Sequence, residues 1–335
     1  MSGEVIDVHI HFGAPSDPND PNGCYWSKEF EKTITYFAMR LVTKTLFTKV
    51  TIEKVKEHLL KAIGTSKKVQ KGVFLGLDQV YDTDGTLRKD LTSLYVANNY
   101  LANLAKENSR VLFGASVNPY RKDWEKELDY CLANEAVLCK WLPSAQNIDP
   151  SHVECIPFYK KLAHHNLPLL CHCGPEYSIP PFDDQRQKLN HPLLLRNALD
   201  EGVTVVVAHL ALPLFITDNK DYLNELFQLF KEAPGKNWKL YADISAMLFP
   251  NRSFVLQDEW NNIPQDRLIM GSDYPIPMSD FSITNSSNII TRIKLFFKTL
   301  FMSNPIDKNY ELLKGIGFDN SVFTRASELF ANIIR

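Results

Sequence analysis

Our interpretation of the fold starts from Val5-Ile6-Asp7-Val8-His9-Ile10-His11-Phe12-Gly13, close to the N-terminus. Four of these residues are β-branched and a glycine follows them, which is typical of a strand that ends in a turn. Because side chains alternate between the two faces of a strand, His9 and His11 are expected to point the same way. Two imidazoles so placed can bind one metal ion as neighbouring ligands. The alternative is a half-buried strand that merely carries two histidines, since so short a pattern also arises by chance.

The composition is that of an ordinary globular protein. Of the 335 residues, 44% are hydrophobic and 23% are charged, so the chain can bury a large core. The net charge of −2 leaves no basic excess for phosphates, so nucleic acid is not an expected partner. We find no signal peptide and no apolar stretch long enough to span a bilayer, so a membrane is not expected either. The six cysteines include no C-x-x-C pair, and we expect free thiols in a reducing, cytoplasmic compartment.

Apolar runs alternate with amphipathic segments along the rest of the chain. Eight runs are predicted to be strands, beginning near residues 5, 73, 111, 136, 167, 203, 240 and 268, and a helical pattern follows each. Most runs are apolar throughout, as expected for parallel strands that are buried on both faces. Eight such units favour an α/β fold of the (β/α)₈ TIM-barrel type, regular or distorted, over an open doubly wound sheet. No glycine-rich nucleotide-binding motif was found.

The segment 27–47 is longer than the usual connection between a strand and a helix. It is rich in aromatic residues and follows the strand that carries His9 and His11, so we predict a helical insertion that covers the mouth of the barrel. A helix packed on the side of the barrel, or a contact with a second subunit in a homodimer, is the alternative. Extra C-terminal helices are predicted near 307–313 and 324–334. The whole chain, 1–335, is predicted to be one domain.

Histidines and an aspartate lie at the ends of several predicted strands, which is where the chemistry of a (β/α)₈ barrel is found. His9 and His11 end the first strand, and His172, His209 and Asp273 lie at the ends of the fifth, sixth and eighth. Nine histidines would scatter by chance, so this coincidence indicates a site. We predict one divalent transition metal at His9, His11, His172 and Asp273. Imidazole and carboxylate ligands suit Zn²⁺ first, with Mn²⁺, Ni²⁺ or Fe²⁺ as alternatives. His209 would lie opposite, to hydrogen-bond an oxyanion or shuttle a proton.

Four motifs, in this order, resemble a known family. They are Val5-Ile6-Asp7-Val8-His9-Ile10-His11, Leu169-Leu170-Cys171-His172-Cys173-Gly174, Ala208-His209 and Gly271-Ser272-Asp273-Tyr274-Pro275. The chain resembles the amidohydrolase superfamily, and most of all its amidohydrolase-related branch, also called amidohydrolase 2, of metal-dependent hydrolases. The resemblance implies that His9, His11 and His172 are metal ligands. It also implies that Asp273 is both a ligand and the base for the metal-bound water, and that His209 is catalytic or orients the substrate.

Lys140 lies at the end of the fourth predicted strand, in the context Cys139-Lys140-Trp141-Leu142-Pro143. Binuclear relatives carry a carboxylated lysine at this position, which bridges two metals. In the branch that this chain resembles, a lysine in this region is common without a second metal. We therefore predict one metal and an uncarboxylated Lys140, which lies near the substrate or pairs with a carboxylate.

Four further residues have two possible roles each. Trp141 and Tyr274 are candidates, with Lys140, for the lining of a substrate pocket, although aromatic residues near strand ends often simply pack. Asp7 shares a face with His9, so it is predicted either to hydrogen-bond a ligand imidazole or to lie at the floor of the barrel. Asp243 either orients another group or is a structural hydrogen-bonding residue.

The predicted function is hydrolysis of an amide, lactone or ester carbonyl of a small molecule by a metal-activated water. The expected substrate is an uncharged or weakly acidic carbonyl compound, although the loops after strands two, three and seven carry no readable signal. The nearest alternative on this scaffold is a non-oxidative metal-dependent decarboxylase. A metal-free lactonase or binding protein is a third possibility. Retention of all three histidines and of the aspartate argues against loss of the metal.

Overall fold

A computed structural model of the chain describes residues 3–16, 23–215, 217–276, 289–331 and 333. Eight parallel strands form its central sheet, and each pairs with the next strand in chain order, as the alternation of apolar runs predicted. The strands are β1 Ile6–His11, β2 Lys71–Leu75, β3 Val111–Ala115, β4 Leu138–Trp141, β5 Leu169–Cys171, β6 Val205–Val207, β7 Leu240–Asp243 and β8 Leu268–Ile269.

Backbone hydrogen bonds between β1 and the residues after β8 close the sheet. The amide of Asp273 donates to the carbonyl of His9 at 2.8 Å, and the amide of His11 donates to the carbonyl of Tyr274 at 2.8 Å. Ile10 and Tyr274 form a parallel bridge between these bonds. The predicted (β/α)₈ barrel is thus confirmed, and its closure puts Asp273 directly beside the two histidines of β1.

Helices fill the connections between the strands and cover the outside of the barrel. The two predicted C-terminal helices are present as Pro305–Ile316 and Asn320–Leu329, although residues 332, 334 and 335 lie outside the described part of the chain. The helices are α1 Ile34–Val42, α2 Ile52–Gly64, α3 Asn98–Glu107, α4 Trp124–Ala133, α5 Pro143–Gln146, α6 Ile156–His164, α7 Asp184–Gln187, α8 Arg196–Asp200, α9 Asp221–Lys236, α10 Pro250–Asp258, α11 Ile289–Leu300, α12 Pro305–Ile316 and α13 Asn320–Leu329.

The predicted insertion after β1 is helical. A short 3₁₀ turn, Phe30–Lys32, precedes α1, and the side chain of Thr33 caps α1 by accepting from the amide of Tyr36. The ring of Tyr36 lies edge-on to that of Trp26, with 5.3 Å between the centroids. This aromatic contact attaches α1 to Trp26, which lies earlier in the same connection between β1 and β2.

One helix was predicted too long. The pattern over 91–106 predicts a single helix, but α3 begins only at Asn98. Leu94–Tyr95 instead forms an antiparallel pair with Tyr25–Trp26. Pairing with a distant part of the chain therefore overrides the local helical pattern here.

The strands are buried on both faces, as their apolar sequences predicted. One apolar cluster joins strand residues such as Ile6 and Val206 to Phe330, which follows α13. A larger cluster lies between the strands and the helices. All six cysteines are described; each is buried, and none forms a disulfide. Among the described helices, none is long and apolar enough to cross a membrane.

Candidate metal centre

β1 brings His9 and His11 to one place. His9 is fully buried and His11 is half-buried, and their Nε2 atoms lie 3.1 Å apart. Asp273 follows β8, and its Oδ1 lies 3.0 Å from His11 Nε2 and 3.4 Å from His9 Nε2. Two nitrogen ligands of a tetrahedral Zn²⁺ are about 3.4 Å apart, given Zn–N distances near 2.1 Å. The spacing of these three groups therefore suits a shared metal ion.

His209 and His172 lie on the far side of His9. The ring of His209 stacks on that of His9 at 4.9 Å, and the ring of His172 meets that of His209 at 5.3 Å. One ligand atom each of His9, His209 and Asp273 fall within 4.8 Å of one another. The structure thus brings together all five residues that the sequence singled out for metal binding and catalysis. His209, predicted as a catalytic residue, therefore also offers a possible ligand atom beside His9 and Asp273.

Two atoms of the cluster lack partners that buried polar atoms normally have. His172 Nε2 and Asp273 Oδ1 are buried, and neither has a hydrogen-bond partner among the described residues. The contact of Asp273 Oδ1 with His11 is short but is not aligned as a hydrogen bond. Because unpaired buried polar atoms are rare and costly, these two are the atoms that a bound cation would satisfy. The residues present therefore fit a divalent metal.

Asp243, at the end of β7, orients His9. Its Oδ2 accepts from His9 Nδ1 at 2.7 Å, and both side chains are fully buried. This bond turns His9 Nε2 towards His11 and Asp273, the arrangement that commonly supports a metal-binding histidine. Asp7 makes no such bond. Its Oδ1 accepts from the backbone amides of His9 and Ser272, so it ties β1 to the end of β8.

Burial sets the protonation states of this pair. Burial and the nearby Lys140 lower the pKa of His9 to about 4, so its imidazole is neutral at pH 7. Burial alone would raise the pKa of Asp243, but His9, Ser245 and the amide of His209 hold it at about 2. An ionised aspartate behind a neutral imidazole is the state in which His9 can bind a metal.

A tight turn after β6 carries His209 into the site. His209 and the two residues that follow it have positive φ angles of 50–56°, which cost roughly 1–2 kcal/mol per residue. The Nδ1 of His209 lies 2.7 Å from Ser245 Oγ, and Ser245 in turn donates to Asp243. Ser245 is then left to accept from His209 Nδ1–H, so the Nε2 of His209 is a proton acceptor. Burial lowers the pKa of His209 well below its usual value, which keeps it neutral.

Lys140 faces the interior at the end of β4. It is 1% exposed, and its Nζ lies 3.4 Å from His9 Nε2. Burial lowers its pKa, against the opposing effect of the charges on Asp243 and Asp273. Of the three residues suggested for the substrate pocket, Lys140 is the one that lines the cavity described below.

The side chains of Trp141 and Tyr274 do not reach the cavity, contrary to the prediction that they line the substrate pocket. Lys140 points inward, so Trp141 points outward, where its Nε1 donates to the carbonyl of Val117 at 2.8 Å. The hydroxyl of Tyr274 lies 2.5 Å from His58 Nε2, on α2. Both side chains are buried in packing, and neither is among the described residues that line the cavity.

A cavity of about 360 Å³ opens over the cluster. Its base includes His11, His172, His209 and Asp273, and part of its wall comes from α1. The insertion therefore lies against the space next to the candidate metal centre. Its action as a lid stays a prediction.

Two cavity residues were missed by the sequence analysis. Glu176 is buried, and its Oε2 lies 3.5 Å from His172 Nε2. Arg252, in α10, is 4% exposed. Glu176 follows the His172 motif closely and could have been suspected from that position. A lone arginine in a helix carries no such signal, because most arginines in helices face solvent.

The comparisons with known proteins agree with this architecture. A family model described as Amidohydrolase matches residues 73–289. The chain belongs to the amidohydrolase family. The match starts within β2, so His9 and His11 lie before it. No curated protein matches the sequence.

Solved structures share the fold of this amidohydrolase at low sequence identity. An uncharacterized TIM-barrel protein from Bordetella bronchiseptica is 16% identical over 99% of this chain and 100% of its own, with a TM-score of 0.58. A probable 2-pyrone-4,6-dicarboxylic acid hydrolase from Acinetobacter baumannii, with citric acid bound, is 15% identical over 99% and 100%, with a TM-score of 0.55. A 4-oxalomesaconate hydratase from Rhodopseudomonas palustris is 12% identical over 98% and 96%, with a TM-score of 0.51. At these identities the likeness establishes the barrel fold alone.

Proposed function

We propose that this amidohydrolase is a metal-dependent hydrolase that cleaves an amide, lactone or ester carbonyl of a small molecule. The observation that carries the proposal is the buried cluster of His9, His11 and Asp273, with unpaired atoms on His172 and Asp273. The family and the fold are consistent with it. A divalent metal, Zn²⁺ in the first instance, would be held by His9, His11, His172 and Asp273. When bound, it supplies Lewis acidity that activates water and polarises a carbonyl.

Asp273 is placed to accept the proton of the attacking water. Burial would raise its pKa, but His11, His9 and Arg252 lower it below the usual value, so the carboxylate is ionised at neutral pH. An ionised carboxylate beside the attacking water is a suitable general base.

His209 completes the proton transfer. With Nδ1 held by Ser245, its Nε2 accepts the proton that Asp273 took from the water, and His209 then donates that proton to the leaving group. The chain from His209 through Ser245 to Asp243 stabilises the imidazolium that forms. Because burial lowers the pKa of His209, the imidazolium readily passes its proton to the leaving group, and it stabilises an oxyanion while it is charged.

Metal content and product analysis test the proposal. His9→Ala and His172→Ala are expected to lose most of the metal, whereas His164→Ala, on the outer helix α6, retains it. A panel of lactones, amides, esters and aromatic carboxylates is then assayed for hydrolysis products and for CO₂. Asp273→Asn and His209→Asn are expected to lower kcat by about 10²–10⁴-fold. Full metal occupancy in both alanine variants would remove the site, and full activity in both asparagine variants would remove the mechanism. CO₂ release without hydrolysis would support the decarboxylase alternative instead.

A further inference from the structure

Arg252 is a buried cation to which the mechanism above assigns no contact with the substrate. It lies in α10 and lines the same cavity as His172, His209 and Asp273, yet it is 4% exposed. Its Nε is buried and has no hydrogen-bond partner among the described residues. A buried donor without a partner destabilises a fold, so such a group in a cavity calls for a ligand that accepts its hydrogen bond.

A carboxylate is the ligand that this group recognises best. The planar guanidinium presents parallel N–H donors that match the two oxygens of a carboxylate, and the charges assist these bonds. Burial in the cavity wall strengthens the interaction, because little water competes there. Asp273 and Glu176 are the carboxylates that act most strongly on the pKa of Arg252. A role as a counter-charge to these two residues is therefore the competing explanation, and the test must separate the two.

The remainder of the cavity wall is mostly apolar. Ile34 and Met39 come from α1, Val55 from α2, and Phe249 precedes α10. Such a wall offers no hydrogen bonds and favours hydrocarbon on the ligand. The cavity therefore combines the buried guanidinium of Arg252, the catalytic cluster with Lys140 beside it, and an apolar surface.

We propose that the substrate carries a carboxylate, which Arg252 binds, and an apolar portion, which packs against Met39 and its neighbours. The inference rests on the proposed function, since the carbonyl that reacts would lie between these two anchors at the candidate metal centre. The volume of about 360 Å³ suits a small acid of this kind. A substrate with a carboxylate would take the place of the uncharged or weakly acidic compound that the sequence led us to expect.

Binding of simple probes to the protein as purified tests the substrate class without any need for catalysis. Isothermal titration calorimetry compares hexanoate with acetate, which lacks the tail, and with hexanamide, which lacks the charge. We expect hexanoate to bind at least about tenfold more tightly than either probe. Equal affinity for hexanoate and hexanamide, or no measurable binding of hexanoate, would overturn the proposal. This readout is independent of whether the enzyme hydrolyses any compound in the panel.

Substitutions then assign the two anchors. Arg252→Gln is expected to weaken hexanoate binding about tenfold to a hundredfold and to leave hexanamide unchanged. Arg252→Lys, which keeps the charge, should retain part of the affinity. Met39→Gln should reduce the advantage of hexanoate over acetate. Arg267→Gln, which removes an arginine paired with Asp266 outside the cavity, is the matched control and should bind as the wild type does.

The outcome also separates a ligand role from a counter-charge role. If the carboxylate is held by the metal instead, Arg252→Gln binds hexanoate with unchanged affinity and the proposal fails. The same result with a lowered melting temperature would identify Arg252 as a purely structural counter-charge. Should Arg252→Gln fail to fold, Arg252→Lys decides the question, because unchanged hexanoate affinity in that variant would overturn the proposal.

Discussion

At the scale of single residues, the geometry of His9 depends on Asp243 rather than on the metal ligands themselves. Asp243 Oδ2 holds His9 Nδ1 at 2.7 Å, and Asp243 Oδ1 accepts from the backbone amide of His209 at 2.8 Å. One carboxylate therefore positions both a proposed ligand and a proposed catalytic residue. This gives Asp243 the orienting role that the sequence left undecided.

Asp243→Asn is expected to weaken metal binding by about 10–100-fold, because the amide no longer fixes the tautomer of His9 with a negative charge. Competition between the purified protein and a chromogenic chelator for Zn²⁺ measures the change. Asp258→Asn, which alters an exposed aspartate at the end of α10, serves as the control. Unaltered Zn²⁺ affinity in a folded Asp243→Asn protein would contradict the orienting role.

Some of these residues could be predicted from the sequence and others could not, for physical reasons. His172, His209 and Asp273 were predicted together because strand ends of a barrel converge at one face. Trp141 was wrongly assigned to the pocket, although alternation along β4 excludes it once Lys140 points inward. Arg252 could not be predicted, since its burial depends on how α10 packs over the cavity.

At the scale of secondary-structure elements, the insertion is expected to control access to the metal. Its helix α1 contributes Ile34 and Met39 to the cavity, and Phe30 just before it is buried there. Replacing residues 28–46 by a short glycine-serine linker should speed the loss of Zn²⁺ to a chelator, because the cavity opens to solvent. Stopped-flow measurement with the full-length chain as reference gives the rate. An unchanged rate, together with unchanged substrate kinetics, would reject the lid.

A buried glutamate connects the C-terminal helices to the barrel. Glu311, on α12, pairs with Lys298 on α11 at 2.6 Å and with Lys68, before β2, at 3.0 Å. Burial would raise its pKa, but the two lysines lower it below 4.5. Its contribution to the free energy of unfolding is therefore complete above pH 4.5 and is lost as the pH falls through the lowered value.

Glu311→Gln should destabilise the protein by about 1–2 kcal/mol at pH 7, because the lysine charges lose their partner. The difference from the wild type should shrink as the pH is lowered below 4.5. Urea unfolding at several pH values measures both. Glu4→Gln, which breaks the more exposed pair with Lys71, should cost less than about 1 kcal/mol. A loss of stability that does not depend on pH would show that the charge of Glu311 is not the cause.

The elements themselves were predicted well where burial and periodicity agree. Thr51 precedes apolar residues at helical spacing, which predicts an N-cap, and its side chain accepts from the amide of Lys54 at the start of α2. The start of α3 was misplaced because Leu94–Tyr95 pairs with Tyr25–Trp26, which are far away in the sequence. Local patterns thus fix helix ends where a cap is present, and they fail where a distant segment supplies the hydrogen bonds.

At the scale of the whole molecule, closure of the barrel concentrates several charged groups in one buried volume. Asp243 and Asp273 are negative, Arg252 is positive, and Lys140 has a lowered pKa. Burying such groups together costs free energy unless each charge is compensated. The two aspartates and Arg252 sum to a charge of −1, so one divalent cation leaves the volume near neutrality at +1, whereas two would leave it at +3.

We therefore predict that the intact protein binds one metal per chain and that Lys140 is not carboxylated. The amine of Lys140 itself lies 3.4 Å from His9 Nε2, so the unmodified amine already contacts this imidazole directly. Native mass spectrometry of the zinc-loaded protein should show the chain plus one metal ion, without the mass of an added CO₂. Activity should also be independent of added bicarbonate, since no carbamate has to form. Two metals per chain, or a carboxylated lysine in an electron-density map, would show that the site is binuclear and that His172 and His209 bind a second ion.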